Sequence, residues 1–597
     1  MPFRFFSRRG DFDLRREILP IGSGRFPLFS VSVFLTHPNS SASSRWRQIL
    51  RVHGAIPALL VLVAGLPVIY IFGHIFAASR NIAFWDEFDS VLGLVLRFDH
   101  GLGWSEYVRQ LLALENEHRT VTSRIIITAL YGASGTVNFN VISAIGNLCF
   151  LGLCAILIAS ADSLARRIRL GVVLAFGLFQ LELYEPFLWS GASIDHFQVL
   201  LFAGAAIFAL TRPGRTAIVA AGMLAMLATF TLAHGCIVWP LGAVMLWRAR
   251  RRRALAGWCL LAAMVLGVFF HGFEIHSAHR FGDFSAGSLF RLGQFWLALL
   301  GGPLTFGSRE FAPLFGLALV SVLTWLLLQR TWTREPVVMP LALFAVCALA
   351  LVAVGRFTIA GPRIESRYLV LGSLAWSLVA FMLLERWTNA ARPFRQLCYY
   401  LPVLVAFNVA ANVHAAPFAE TFLISRDYAA VRFKQFGEEG HAGGFRLHPG
   451  AETAKQVLAE TARRGIYRLP RFCDLRAVPD AQPNSAMVTY VTDLTATRRT
   501  VGFEGWAMIP ERLSKRGQIH VVLRSNKSYL VFSTLSIPRP DVAKAFGQPL
   551  WRECGYNFVA ARARLPAEDF QIGLLIDDGD RTVVKMTEQH LDLSAGF

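Results

Sequence analysis

A polytopic α-helical membrane protein of about eleven transmembrane helices, followed by a soluble, mainly-β exterior domain, is the architecture the sequence predicts. Three observations predict it. The 597-residue chain is 54% hydrophobic and only 17% charged, where soluble domains run near 25% charged, and its mean hydropathy is +0.45. Its apolar residues fall in separate runs before residue 414, and all six lysines lie at or beyond Lys434, where the apolar runs have ended. Its formal charge is +19, which fits either a basic surface for an anionic partner or arginines holding membrane loops on one side. The placement of those arginines favours the second and leaves no role for nucleic acid.

Residues 1–53 are arginine-rich, lack an apolar stretch followed by a small-residue cleavage site, and read as a cytoplasmic basic tail. Between Gly54 and Ser79 only His74 interrupts an apolar run able to cross about 30 Å of hydrocarbon. Ten further spans are expected at 141–160, 171–188, 197–211, 217–234, 236–247, 255–272, 312–329, 338–355, 368–385 and 397–413. Counting from a cytoplasmic N-terminus, the even loops carry Arg166/Arg167/Arg169, Arg212/Arg215, Arg248/Arg250/Arg251/Arg252/Arg253, Arg330/Arg334 and Arg386/Arg392/Arg395. All of these then fall on the cytoplasmic side, as the positive-inside rule requires.

The odd loops, 80–140, 185–196, 273–311 and 356–367, hold carboxylates, histidines and aromatics and are expected on the outer, periplasmic face of a bacterial inner membrane. Residues 54–413 form the membrane domain, 414–500 a mixed periplasmic connection, and 501–597 a β-sandwich module. Residues 451–465 have helical spacing, while 518–537 and 572–586 each read as two strands around a turn, at SNKS and DDGD. Cys473 and Cys554 are the exterior cysteines, open to pairing or to remaining free thiols.

The richest stretch for chemistry lies just outside the first helix: NIAFWDEFDSVLGLVLRFDHG at 81–101, then ENEHRTVTSR at 115–124. Charge at a membrane surface is costly unless it is solvated or used. A solvated loop between interfacial helices is one reading; a site reaching a lipid headgroup is the other. WDEFD at 85–89 resembles the acidic motif that GT-C membrane glycosyltransferases carry in the first exterior loop, and NEHR at 116–119, YEPFLWSG at 184–191 and ESRY at 365–368 resemble segments of bacterial envelope members of that superfamily. The likeness covers roughly 54–413. It implies an enzyme that moves a sugar from a polyprenyl-phosphate donor to an envelope glycan, lipid or protein acceptor.

Such transfer needs a base for the acceptor hydroxyl and cations for the departing phosphate. Asp86 is the first choice for the base and Glu87 the second. Arg363 and Arg367 lead for the phosphate, with His118, Arg119 and Arg280 beside them. Glu117, Glu185, Trp189, Asp195 and His196 are candidates for sugar or acceptor, although Trp189 equally suits an interfacial aromatic belt. The resemblance leaves a Mg²⁺ or Mn²⁺ ion at Asp86 and Glu87 open. His271, His276 and His279 beside Glu274 have a metal-like spacing but read more simply as polar loop residues.

GFEGWAMIP at 502–510, RPDVAKAF at 539–546 and CGYNF at 554–558 resemble β-sandwich accessory modules of bacterial glycan-processing enzymes. Gly505, Trp506 and the Arg539-Pro540-Asp541 turn equally suit a sandwich core and its turns. Two other functional classes stand beside transfer. A flippase or transporter would need polar groups near the bilayer midplane and paired half-repeats, whereas the expected spans hold few charges and no such repeat; a noncatalytic glycan-binding scaffold would need only the exterior module.

Overall fold

The computed structural model describes residues 55–273, 285–359, 361, 363–388, 394–436, 447–470, 482–483, 487–497, 500–510, 518–526, 529–562, 565–577 and 582–594. The expected basic tail, Arg280, His276, His279 and Cys473 lie outside them. The chain is mainly helical with a β-sheet region at its C-terminal end. Helices α1 (Ala55–Ala78), α2 (Val121–Ser134), α3 (Phe139–Ser160), α4 (Leu164–Leu178), α5 (Ser190–Leu210), α6 (Arg215–Thr229) and α7 (Val238–Arg248) come first. They are followed by α8 (Arg252–Phe270), α9 (Ala286–Gly301), α10 (Ala312–Leu328), α11 (Val338–Arg356), α12 (Ser366–Trp387), α13 (Arg395–Phe436) and α14 (Ala451–Arg463).

Among the described residues seven helices are long and apolar enough to cross a membrane: 56–78, 139–160, 190–210, 252–270, 338–356, 366–387 and 395–423. Helix α4 and the turn at 181–188 make an eighth if their 63° bend is one broken span, while α6 and α10 are shorter apolar helices. Several boundaries differ from expectation. The span expected at 197 starts at Ser190, seven residues earlier, because Ser190 and Gly191 are drawn into the first turn by a buried carboxylate described below. The loop expected at 273–311 contains α9, whose apolar C-terminal half packs on α10.

Close backbone approach, rather than large side chains, joins neighbouring helices. A methyl group at Gly301 would lie 1.9 Å from the Ala312 carbonyl oxygen, and one at Gly316 the same distance from that of Leu297, so glycine at both positions lets α9 and α10 touch. The bend after α4 has a different solution. Breaking a helix inside an apolar layer frees backbone groups that must be satisfied by protein. Asn408 donates to the carbonyls of Phe176 (2.9 Å) and Phe179 (3.0 Å), and Asn412, one turn along α13, accepts from the Leu181 amide at 2.8 Å. Asn412 also donates to Asn408 at 2.9 Å, joining the two into a ladder.

The basic loops meet at one end of the bundle. Arg166 pairs with Glu385 (2.9 Å), Asp162 (3.0 Å) and Glu335; Arg169 holds Glu385 at 2.5 and 3.0 Å. Arg386 donates to Gln329, and Arg251 to the Arg212 carbonyl. Helices α11 and α12 carry these groups at one end and Arg356 and Arg367 at the other, about 30 Å away at 1.5 Å per residue.

Beyond α14, strands β1 (Gln482–Pro483), β2 (Val488–Ala496), β3 (Thr500–Met508), β4 (Gln518–Arg524), β5 (Tyr529–Ser533), β6 (Leu535–Ile537), β7 (Gly555–Ala561), β8 (Asp569–Asp577) and β9 (Thr582–Asp592) form two sheets. Their orders are β1-β9-β8-β4-β5 and β2-β3-β7-β6. Val501, Phe503 and Phe558 of one share a core with Val521, Ile572 and Leu574 of the other. Both expected hairpins are present as β4–β5 and β8–β9, and 451–463 is helical as expected. The sheets begin before the expected boundary at 501, because β2 pairs along β3 and cannot be separated from it. Likewise α13 runs unbroken through the expected boundary at 413/414. Cys554 is buried beside Met508 and Val542.

The asparagine ladder yields a prediction. Asn408→Leu leaves two buried carbonyls without donors and is expected to destabilise the protein by about 1–3 kcal/mol for each, read as a lowered thermal midpoint in nanodiscs. An unchanged midpoint would show that the bend does not depend on the ladder.

Candidate functional site

At the end of the bundle opposite the basic cluster, two cavities of about 210 and 330 Å³ meet. They share Trp85, Asp86, Asn116, Arg356, Arg367 and Tyr368 in their walls. The smaller is lined beyond these by Glu115, Glu117, His118, Trp189, Asp195, His196 and His234. The larger adds Arg363, Glu365 and the apolar Phe295, Leu299 and Ile364. Carboxylates and imidazoles thus gather in the smaller cavity, Arg356 and Arg367 stand with Asp86 in the shared wall, and Arg363 with the apolar wall from α9 belongs to the larger.

The loop that carries Asp86 is held from two directions. Glu87 is buried, and its carboxylate accepts from the Phe84 amide (2.8 Å), the Gly191 amide (2.7 Å) and the Ser190 hydroxyl. This ties the loop to the first turn of α5. From the other direction, segment 447–470 clamps it. The Trp85 amide donates to the Leu447 carbonyl, and His448 meets Asp89 at 3.0 Å. The Tyr467 hydroxyl accepts from the Ala83 amide (3.0 Å) and donates to the Asn81 carbonyl (2.8 Å), and Arg464 pairs with Asp99 at 2.9 Å. Apolar packing of Ile82, Phe88, Val91 and Leu92 against Leu447, Ala454, Leu458 and Ile466 closes the joint. The π-helical turn Phe88–Gly93 starts beside the acidic pair, a distortion frequent at functional sites.

Two non-glycine residues in the walls of both cavities, Trp85 and Asn116, have left-handed backbones, with φ of 54° and 51°. Each such residue costs about 1–3 kcal/mol and persists only where its surroundings enforce it. Trp85 is enforced by its bond to Leu447. Asn116 is enforced by the tight turn in which Glu115 and His118 exchange amide–carbonyl bonds at 2.9 and 3.0 Å.

Among the described residues the Asp86 carboxylate has no hydrogen-bond partner in the chain, and it opens into both cavities. Enough protein surrounds it that lost hydration raises its pKa, against the pull of Arg367. Burial raises Glu115 as well, opposed by Arg124 at 3.1 Å. Glu87 is pushed up to about 7 by burial, its three donors limiting the rise.

Of the residues expected to form the site, Asp86, Glu87, Glu117, His118, Trp189, Asp195, His196 and Arg367 border the smaller cavity, and Arg363 borders the larger. Three expectations need correction. Arg119 donates to the backbone carbonyls of Phe269 (2.9 Å), Leu112 and His271, so its guanidinium is used to staple the loop to α8. Glu185 sits behind Arg367, accepting its backbone amide at 2.9 Å and facing its guanidinium at 3.9 Å; it orients that arginine and does not border either cavity. Glu87, with both oxygens engaged, holds the loop in place rather than facing a ligand as a base.

His118 borders the acidic cavity, where its Nδ1 accepts from the Ala233 amide at 3.3 Å, and lies away from Arg363. Arg363 rests on the Phe418 ring at 4.0 Å and donates to the Phe306 carbonyl at 2.8 Å; Arg367 lies over Trp189 at 5.5 Å. Sequence reasoning missed Arg356, which donates to the Tyr368 hydroxyl at 3.0 Å and faces Glu117 at 3.5 Å. It is the last residue of α11 and the first of the loop expected at 356–367, and a cation closing an apolar run was the available signal. His234 was missed because it is the last residue of the span expected at 217–234.

The residues present do not suit a divalent cation at the acidic pair, because Glu87 is committed to three donors and leaves Asp86 alone. Among the described residues no cluster of three or more His, Cys, Asp or Glu is placed to hold a metal.

Two outcomes check this geometry. The folded state raises Glu87 from 4.5 to about 7, so it retains a proton that the unfolded chain releases. The contribution to stability is complete below about pH 4.5 and declines as pH rises towards 7. Glu87→Gln is expected to flatten the pH dependence of the thermal midpoint between those values; an unaltered slope would mean another group titrates. Tyr467→Phe removes the hydroxyl between Ala83 and Asn81 and is expected to speed hydrogen exchange at the Ala83 amide by about tenfold. Unchanged protection there would show that the clamp is not what orders the loop. No family model matches the chain, and neither a curated protein nor a solved structure is significantly similar to it.

Proposed function

We propose that the protein is a membrane glycosyltransferase of the GT-C type, moving a sugar from a polyprenyl-phosphate donor to an envelope glycan, lipid or protein acceptor. The observation that supports this reading best is the position of Asp86. It is a carboxylate without a hydrogen-bond partner, set with Arg356 and Arg367 in the wall between an apolar-sided cavity and one lined with carboxylates and imidazoles. A lipid phosphate needs guanidinium donors and a neighbouring apolar surface, which Arg356, Arg363, Arg367, Phe295 and Leu299 supply. A sugar and an acceptor hydroxyl need polar partners and an aromatic face, which Glu117, Asp195, His196 and Trp189 supply.

In this reading the acceptor oxygen attacks the anomeric carbon and gives its proton to Asp86. The bond from that carbon to the phosphate oxygen breaks, and polyprenyl phosphate leaves with the electron pair, its charge met by the arginines. A raised pKa suits Asp86 to the base role at neutral pH.

The finer topology belongs to the same proposal. Eleven spans with a cytoplasmic N-terminus put the clustered basic loops inside and both cavities outside. Helix α9, with both flanks then exterior, lies in the outer leaflet as a wall of the donor cavity without crossing. The two-sheet region is periplasmic, and the membrane is a bacterial inner membrane.

Purified protein in nanodiscs, given a panel of polyprenyl-phosphate sugars and envelope acceptors with and without Mg²⁺ or Mn²⁺, tests this. Sugar consumption is expected from the parent chain, a fall of about 10²–10⁴ for Asp86→Asn, and donor affinity about tenfold weaker for Arg363→Ala. Failure to consume any donor, or full activity in Asp86→Asn, would defeat the proposal.

A further inference from the structure

Strands β2, β3 and β7 turn Val491, Val501, Phe503, Tyr556 and Phe558 into the shared core. Alternation along each strand then places Tyr490, Thr492, Glu504, Trp506 and Asn557 on the opposite, outer face. The register arranges them in two rows. Tyr490 stands opposite Trp506 in one, and Thr492, Glu504 and Asn557 stand side by side across three strands in the next.

The first row is aromatic and extends beyond the sheet. Tyr490 and Trp506 lie 6.0 Å apart and 22° from parallel; Phe546 follows 5.7 Å from Trp506, and Trp551 5.3 Å from Phe546. Tyr490 is 52% exposed and Phe546 47% exposed, so the first and third rings of the row meet solvent, while Trp506 and Trp551 are half-buried against Met508, Val542 and Cys554. The second row is polar and uncommitted. Among the described residues, the side chains of Thr492, Glu504 and Asn557 form no hydrogen bond within the chain. A β-bulge breaks the ladder between Thr492 and Thr495, with the exposed Asp493 at a left-handed φ of 51°. Bulges and strained residues gather where a strand must re-aim side chains for binding.

Rings alone would suit an apolar partner, and a polar row alone would suit water. Rings bordered two residues along the strands, about 6.8 Å away, by free hydrogen-bonding groups suit a ligand with an apolar C–H face and a rim of hydroxyls. We propose that this outer sheet face binds a neutral oligosaccharide, with pyranose rings stacked on Tyr490 and Trp506 and hydroxyls bonded to Thr492, Glu504 and Asn557. The charges nearby do not favour an anion: Glu504 is acidic, and Arg539 is neutralised by Asp541 at 2.7 Å. This site stands apart from the membrane cavities and does not depend on a transfer activity.

The test is isothermal titration of the full chain in nanodiscs, which avoids the sugar headgroups of glucoside and maltoside detergents. The probes are maltohexaose, cellohexaose and chitohexaose, with phosphatidylglycerol vesicles as the anionic comparison. Saturable binding of at least one oligosaccharide is expected, weakened about tenfold or more by Tyr490→Ala and by Trp506→Ala, and weakened also by Glu504→Gln. Tyr490 is solvent-facing, so Tyr490→Ala is expected to keep the parent's thermal midpoint even if Trp506→Ala disturbs packing. No binding of any of the three sugars would overturn the proposal. So would binding that survives Tyr490→Ala unchanged, or vesicle binding that Tyr490→Ala abolishes.

Discussion

A carboxylate taken out of water must be compensated where it stands, and Glu87 is compensated by groups from two separate elements: its own loop through Phe84, and the first turn of α5 through Ser190 and Gly191. With one partner missing, the remaining charge would be left in a poorly hydrated place, at a cost of a few kcal/mol. The loop and the helix are therefore locked to each other. Asp86 is fixed as its neighbour, and Trp189, Asp195 and His196 are fixed along the same helix. The cavity is consequently a property of the joint, and its polar residues inherit their positions from one acid whose own oxygens are taken up by Phe84, Ser190 and Gly191.

The rest of this end of the bundle repeats the division between groups that hold and groups that are free. Glu185 steadies Arg367, Arg119 staples the loop to α8, and Arg124 offsets Glu115. Asp86 stands without such a partner. The same economy governs the opposite end, where Arg166 and Arg169 share Glu385 and Arg166 also pairs with Glu335. Burial raises Glu335 to about 7 despite the arginine beside it, the expected sign when dehydration outweighs one partly exposed partner.

How much of this was legible in the sequence depended on range. Apolar runs announced the helices because burial in lipid demands composition, and the DDGD turn announced β8–β9 because a hairpin is local. The WDEFD string stood out as a candidate site because carboxylates at the end of an apolar span are conspicuous. What escaped was whatever depended on distant partners. Whether Arg119 or Glu185 faces a ligand is decided by the carbonyls of α8 and by the start of α12, which no local pattern reveals. The break after α4 looked like an unbroken span, since its compensation by Asn408 and Asn412 lies more than 200 residues away. Arg356, at the start of its expected loop, was passed over in favour of Arg363 and Arg367, and β2 was assigned to a connection because its strand partner had not been considered with it.

Tyr467 reaches Asn81 and Ala83 across 386 and 384 positions of sequence. During synthesis the acidic loop leaves the ribosome hundreds of residues before the segment that clamps it. Until then its strained Trp85 backbone has no bond from Leu447 to hold it. The site therefore comes into being last, after every helix of the bundle has been made, and a chain that stops short of residue 467 carries its acidic motif without the means to set it. Completion of the polypeptide is thus built into the site as a condition of its assembly.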